Sequence, residues 1–303
     1  MALLATNTEL SGDAVTVSSK VEDNVDVLAG TGTLGLVGVN INATRLDETI
    51  KNKLSITGGS ITGKDISLLS TVTGTSYAHA ALGTATAVGT AVAYADVYAD
   101  GKNSLAIDGT AITADESILV RALHDSTYRT QVNGGSLIVA GGGYVEAESE
   151  DKLANTVTIK NASLINKGDN TTAVNTTDSQ VTKAVAGATE IAAMKSSTAK
   201  TKTIYGSVTG VGGLANSSTA MVDDGQLSGI TLSKNTIQNT GSNGVVDIYA
   251  LYNSVADVDM TFGSGNVLAG GGGVYAIFCH FPAEQPPSVA LTGKCKCFHL
   301  GKR

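Results

Sequence analysis

The glycines of Gly30-Thr-Gly32-Thr-Leu-Gly35 follow the apolar run Val25-Asp-Val-Leu-Ala with the spacing of a dinucleotide-binding turn, and Asp47 lies downstream as a possible ribose carboxylate. That chemistry needs a helix to begin after the glycines, so that its free N–H groups meet the pyrophosphate. Here Leu36-Val-Gly-Val-Asn-Ile-Asn alternates like a strand, and Gly32 and Gly38 return as Gly83 and Gly89. The glycines therefore read as part of a repeat. Cys279-His280 and Cys295-Lys-Cys297-Phe-His299 offer zinc-type ligands, but without the usual Cys-x2-Cys knuckle, and free thiols are the expectation. The carboxylate pairs Glu146/Glu148 and Asp257/Asp259 are two residues apart, so each shares one face of a strand and could serve calcium or acid and base catalysis. No Gly-Gly-x-Gly-x-Asp nonapeptide or calcium loop closed by Glu accompanies them, and a solvated outer face is the expected role. His79 and His124 have no convincing nucleophile, which leaves a Ser-His-Asp site unsupported. Asn42, Asn161, Asn170, Asn175 and Asn216 open glycosylation sequons by pattern, as chance produces in a chain rich in Asn, Ser and Thr. No catalytic, cofactor-binding or metal-binding residue is assigned, and no cofactor is expected.

The elements that would carry such residues are repeated ones. Leu54-Ser-Ile-Thr-Gly-Gly-Ser-Ile-Thr-Gly returns as Leu105-Ala-Ile-Asp-Gly-Thr-Ala-Ile-Thr-Ala and as Val157-Thr-Ile-Lys-Asn-Ala-Ser-Leu-Ile-Asn, placing Ile61, Ile112 and Leu164 51 and 52 positions apart. Val37-Gly-Val-Asn-Ile-Asn-Ala-Thr-Arg-Leu and Val88-Gly-Thr-Ala-Val-Ala-Tyr-Ala-Asp-Val hold the same offset. Within the first, Val39, Ile41 and Ala43 fall on one face and Asn40, Asn42 and Thr44 on the other, the period of a half-buried strand. Leu54 with Ile56, Ile66 with Leu68, Leu105 with Ile107 and Ile118 with Val120 are the expected inward pairs. A unit that returns in this way buries its apolar side by stacking on copies of itself. Aromatic residues make up only 4%, with no Trp and 36 Gly, so the core must be thin. Before residue 279 there is neither Pro nor Cys, which leaves every backbone N–H available to a ladder. A net charge of -7 and a pI near 5.1 argue against a nucleic-acid groove and against binding to an anionic membrane.

Three segments stand apart. Residues 71–95 carry no Asp, Glu, Lys or Arg, but they are rich in Thr, Gly and Ala and read as buried strands, not as a membrane span. Ile230-Thr-Leu-Ser-Lys-Asn-Thr-Ile matches the Val157 phrase at an offset of 73, and the 21 extra residues read as one inserted coil that includes Val185-Ala-Gly-Ala-Thr-Glu-Ile-Ala-Ala-Met-Lys as strand or short helix. Residues 278–303 hold all three Cys and all three Pro and continue no repeat phrase; they are expected to be a disordered or out-of-frame tail. Residues 1–24 are expected to be an N-terminal coil or the start of the solenoid. Met1-Ala-Leu-Leu-Ala does not read as a secretory signal.

The cadence of Val37-Gly-Val-Asn-Ile-Asn-Ala-Thr, the Leu54 phrase and the glycine-rich corners resembles the filamentous-haemagglutinin-like and leukotoxin-like large filamentous adhesins of Gram-negative bacteria, over residues 25–277. The resemblance implies an internal segment of a long exported protein, extracellular or at the outer cell surface, wound as an all-β, right-handed parallel β-helix. Roughly ten to thirteen coils near 4.8 Å apart would give a rod of about 50 to 60 Å. Its implied role is structural and adhesive: a stiff stalk contacting host cells or extracellular matrix, with glycans among the candidate ligands and with no nucleic acid, no membrane span and no enzymatic activity. The alternative is a β-helical protein that binds or cleaves polysaccharide, of tailspike or lyase type.

Overall fold

Alternation with a period of two runs almost unbroken through this chain, and no Pro before Pro282 removes a donor, so the backbone can stay extended for long distances. The computed structural model describes residues 2–169, 184–223, 229–266 and 273–281, and they form an all-β parallel β-helix. Strand β1 (Ala2–Thr6) pairs with the end of β2 (Glu9–Thr57), and β2 pairs along its length with β3 (Ser60–Asp108) at an offset of 51. Strand β3 pairs in turn with β4 (Ala111–Lys160), the offset becoming 52 after an irregularity between Gly63 and Asp65. A fourth layer consists of β5 (Ser163–Asn166), β6 (Ala188–Asp223) and β7 (Gly229–Ser233), and a fifth of β8 (Thr236–Asn239), β9 (Val245–Asn266) and β10 (Gly273–Phe281). Every pairing is parallel.

One coil is therefore a whole repeat unit, 51 or 52 residues between β2, β3 and β4 and longer in the later coils, and the described residues make five coils, not ten to thirteen. The reason lies inside each unit. The strand runs out, turns and comes back, so that Asn40 Oδ1 accepts from Thr31 Oγ1 at 2.6 Å, Asn42 donates to the Ala29 carbonyl and Asn52 donates to the Ser19 carbonyl. The ladder skips Leu36, Ala87 and Val139, which mark the far corner. Each long wall of about 20 residues then spans roughly 65 Å, while five coils stack to only about 24 Å. The body is a broad, flattened slab rather than a narrow rod. At the near end, a left-handed residue turns the chain in every coil: Asn7, Gly58, Gly109, Asn161 and Lys234 have φ between 49° and 65°, a region that glycine enters freely and asparagine tolerates.

Ile61, Ile112 and Leu164 lie side by side in one column that begins at Leu10 and ends at Ile237. The expected pairs Leu54/Ile56, Ile66/Leu68, Leu105/Ile107 and Ile118/Val120 all face the interior near this end and are buried. Further along, the walls approach on small side chains, with Ala78, Ala80, Ala91, Ala93 and Ala95 buried between them. Residues 71–95 thus form part of β3 with one face buried and the other partly exposed, and no helix among the described residues is long and apolar enough to cross a membrane.

One face left open by the alternation is decided, and one local expectation is revised. In the first coil the face of Asn40, Asn42 and Thr44 is the buried one, while Val39 and Ile41 are 67% and 60% exposed. The amides gain more inside because they bond the opposite wall's carbonyls: Asn40 reaches Gly83 O and Asn42 reaches Ala81 O. The 21-residue excess adds no coil. The register shifts by 19 between β5 and β6 and by two more between β6 and β7, and of the segment 185–195 the portion from Ala188 onward is strand. Ala184 and Val185 pack on Leu119 and Leu69 of the outgoing wall.

Candidate functional site

The glycine fingerprint is resolved by register. Gly32 pairs with Gly83, Gly135, Gly206 and Gly263 in successive coils, all in strand, so no helix N-terminus stands ready for a phosphate. Gly38, Gly89, Gly141 and Gly212 form a second column just past the far corner. A Cβ on Gly141, whose φ is 143°, would lie 1.8 Å from the Gly89 carbonyl oxygen, which explains that column sterically.

His124 sits deep in the interior, beside Tyr128 Oη at 3.4 Å and 3.9 Å from Asp151, which also pairs with the buried Lys195 at 3.4 Å. Burial pushes the His124 pKa down to about 4, against the pull of Asp151 and with that of Lys195. The Ser197 hydroxyl bonds Asp151, not the imidazole. With every member buried, this network bridges the two walls.

The chemistry reachable from solvent lies on the two outer walls. On the return wall Glu146 and Glu148 are joined by Asp96 of the preceding coil, which pairs in register with Glu148. Tyr94 and Tyr144 meet at 5.7 Å, Tyr98 donates to Glu148, and the Arg45 guanidinium rests 4.8 Å from the centre of the Tyr98 ring while bonding Asp47. Partial burial, then Glu146 and Glu148, raise Asp96 to about 6. Folded Asp96 holds its proton to higher pH than its ordinary value of 3.8, so its contribution to stability is complete below 3.8 and is lost as pH rises through about 6. Asp96→Asn is accordingly expected to stabilise the protein at neutral pH and to flatten the dependence of the urea midpoint on pH across that interval.

On the outgoing wall, Asn24, Asp26, Thr75, Tyr77, Arg129 and Gln131 line an open groove of about 440 Å³ across three coils. Tyr77 lies nearly parallel to His79, with ring centres 5.8 Å apart and planes at 20°. The next coil holds both rings: Tyr77 Oη donates to Gln131 Oε1 at 2.7 Å, and Asn133 Nδ2 is 3.0 Å from His79 Nε2. Asp26, Tyr77 and Arg129 form one column, so a carboxylate and a guanidinium flank the tyrosine, one coil on either side.

Of the remaining candidates, Asp257 and Asp259 are on β9, Asp259 paired with Lys202 at 3.4 Å. Among the described residues no three His, Cys, Asp or Glu are grouped to hold a metal ion. Asn42 and Asn216 are buried, and Asn161 is a turn residue bonding Asp108. Cys279 and His280 fall on β10, paired with Met221 and Val222, whereas Asn170, Asn175, Cys295, Cys297, His299 and the tail from 282 onward lie outside the described residues. Sequence reading missed Asp96, Tyr77 and Arg129 because each gains its neighbours from another coil; adding 51 or 52 to each position would have found them.

Compared with protein-family models, with characterised proteins and with solved structures, the chain matches none.

Proposed function

We propose that this chain is a segment of a structural and adhesive surface protein of the filamentous-haemagglutinin-like kind, whose stiff β-solenoid displays flat walls to host cells or extracellular matrix. The observation that carries the reading is the continuous parallel ladder of five coils, in which each wall is held by hydrogen bonds running along the stack. Such a body resists bending and offers two faces of roughly 65 by 24 Å. Faces of that size suit many weak simultaneous contacts, whose avidity multiplies without any deep pocket. The reading places the protein outside the cell and assigns it no reaction. Purified protein is expected to bind cultured cells or matrix-coated surfaces saturably, more strongly when displayed in many copies than as a monomer. Unsaturable or absent binding to every surface tried would leave it only a spacer.

A polysaccharide-acting protein is the second reading, favoured by the grouping of Tyr94, Tyr98 and Tyr144 with Asp96, Glu146 and Glu148. Release of new reducing ends from a polysaccharide, abolished in Asp96→Asn, would support it over a purely adhesive role.

A further inference from the structure

From the groove around Tyr77 we infer that the outgoing wall carries a binding site for a short carboxylate-bearing oligosaccharide. The site deepens the surface-contact reading by giving one wall a ligand class. Three independent features of the groove converge on that chemistry. The first is the aromatic surface: Tyr77 lines the groove and stacks against His79 with their planes at 20°, and Gln131 and Asn133 of the next coil hold the two rings in place. A fixed aromatic surface stacks against the C–H face of a sugar ring without losing side-chain freedom on binding.

The second feature is the pair of charges on either side of the platform. Asp26 and Arg129 are both exposed, and among the described residues neither has an ion-pair partner. Two coil spacings separate them along the column, or about 9–10 Å between backbones. That span is too long for the ammonium and carboxylate of one amino acid and suits a ligand of more than one sugar unit. The guanidinium fork takes the ligand's carboxylate in two parallel bonds, and the Asp26 carboxylate accepts from its hydroxyls. Gln131 uses its oxygen on Tyr77 and keeps its amide N–H groups for the same ligand.

The third feature is continuation. Lys200 follows Arg129 in the same column on the next coil and is exposed. A second cation about 4.8 Å further along suits a ligand that carries more than one carboxylate. The groove is open rather than enclosed, and its 440 Å³ lies within the range of small-ligand sites.

The probes are an oligogalacturonate of four to six units and its methyl-ester counterpart, titrated by calorimetry into the full chain, with the cell-binding assay run on the same preparations. The acid is expected to bind at least about tenfold more tightly than the ester, the equivalent of one charge-assisted hydrogen bond. Tyr77→Ala is expected to weaken both ligands, and Arg129→Gln to erase the preference for the acid, with circular dichroism and melting temperature unchanged in each variant. Equal binding of acid and ester, no binding of either, or unaltered binding in Arg129→Gln would overturn the assignment. Cell binding that persists without oligosaccharide binding would remove the groove site and leave the surface-contact reading standing. Oligosaccharide binding without cell binding would do the reverse.

Discussion

Arg121→Ala is expected to destabilise the protein by about 3–5 kcal/mol, the cost of leaving a buried charge without its partner. Arg121 Nη2 donates to Glu190 Oε1 at 2.7 Å, with the arginine 2% exposed and the glutamate fully buried. Tyr249 also donates to Glu190 Oε1, so after the change one hydroxyl would face a whole carboxylate. The pair lies on the outgoing wall, where Arg121 of β4 neighbours Ala192 of β6, and near the corner insertion whose Ala184 and Val185 cover Leu119. Urea unfolding measures the loss. A second variant, Arg121→Met with Glu190→Leu, is expected to recover most of it, because two apolar side chains of similar volume avoid the desolvation that the ion pair must offset. An unaltered midpoint in Arg121→Ala would mean that the pair is not buried in this way.

A comparable effect is expected from Asn103→Asp, although the two side chains are nearly the same shape. Asn52, Asn103 and Asn155 stack in one column through the interior, each amide nitrogen bonding the next amide oxygen, at 3.1 Å and 2.8 Å. The Asn103 amide also donates to the Ser70 and Leu123 carbonyls of the facing wall, and its oxygen accepts from the Ser70 hydroxyl. A carboxylate can donate none of these bonds and would be ionised in a dry interior. The expected cost is about 3–5 kcal/mol at neutral pH, from unmet hydrogen bonds and a buried charge together. Its sign with pH discriminates the mechanism. Burial raises the folded-state pKa of the new carboxyl, so the destabilisation relative to the parent should shrink as pH falls and the group takes up a proton. Denaturation at neutral and acid pH tests both points, and a cost independent of pH would indicate a packing defect instead.

These two sites also mark where sequence patterning ceases to be informative. The column of Ile61, Ile112 and Leu164 was legible because similar phrases recur 51 and 52 residues apart and apolar residues alternate with polar ones. The length of a coil was not. Alternation continues through the far corner at Leu36, where no Pro or charged turn announces a reversal, so one repeated phrase could equally represent one long coil or two short ones. Alternation likewise divides Asn40, Asn42 and Thr44 from Val39 and Ile41 without saying which set is inside. That is decided by carbonyls on the opposing wall, which lie 13 to 43 positions away in sequence. Buried charges such as Arg121, Glu190, Asp151 and Lys195 look like ordinary surface residues until their partners are placed beside them. The groove is of the same kind: Asp26, Tyr77 and Arg129 become neighbours only through the register.

The alignment of equivalent residues into columns has an evolutionary consequence. A one-residue deletion within a wall would exchange inner and outer faces for the rest of that wall. Loss or duplication of an entire turn would instead join equivalent positions and preserve each amide, leucine and glycine column. Unequal recombination between the repeats could thus shorten or lengthen the body in whole steps, with no new packing arrangement to be discovered, so gene rearrangement has a ready means of adjusting reach.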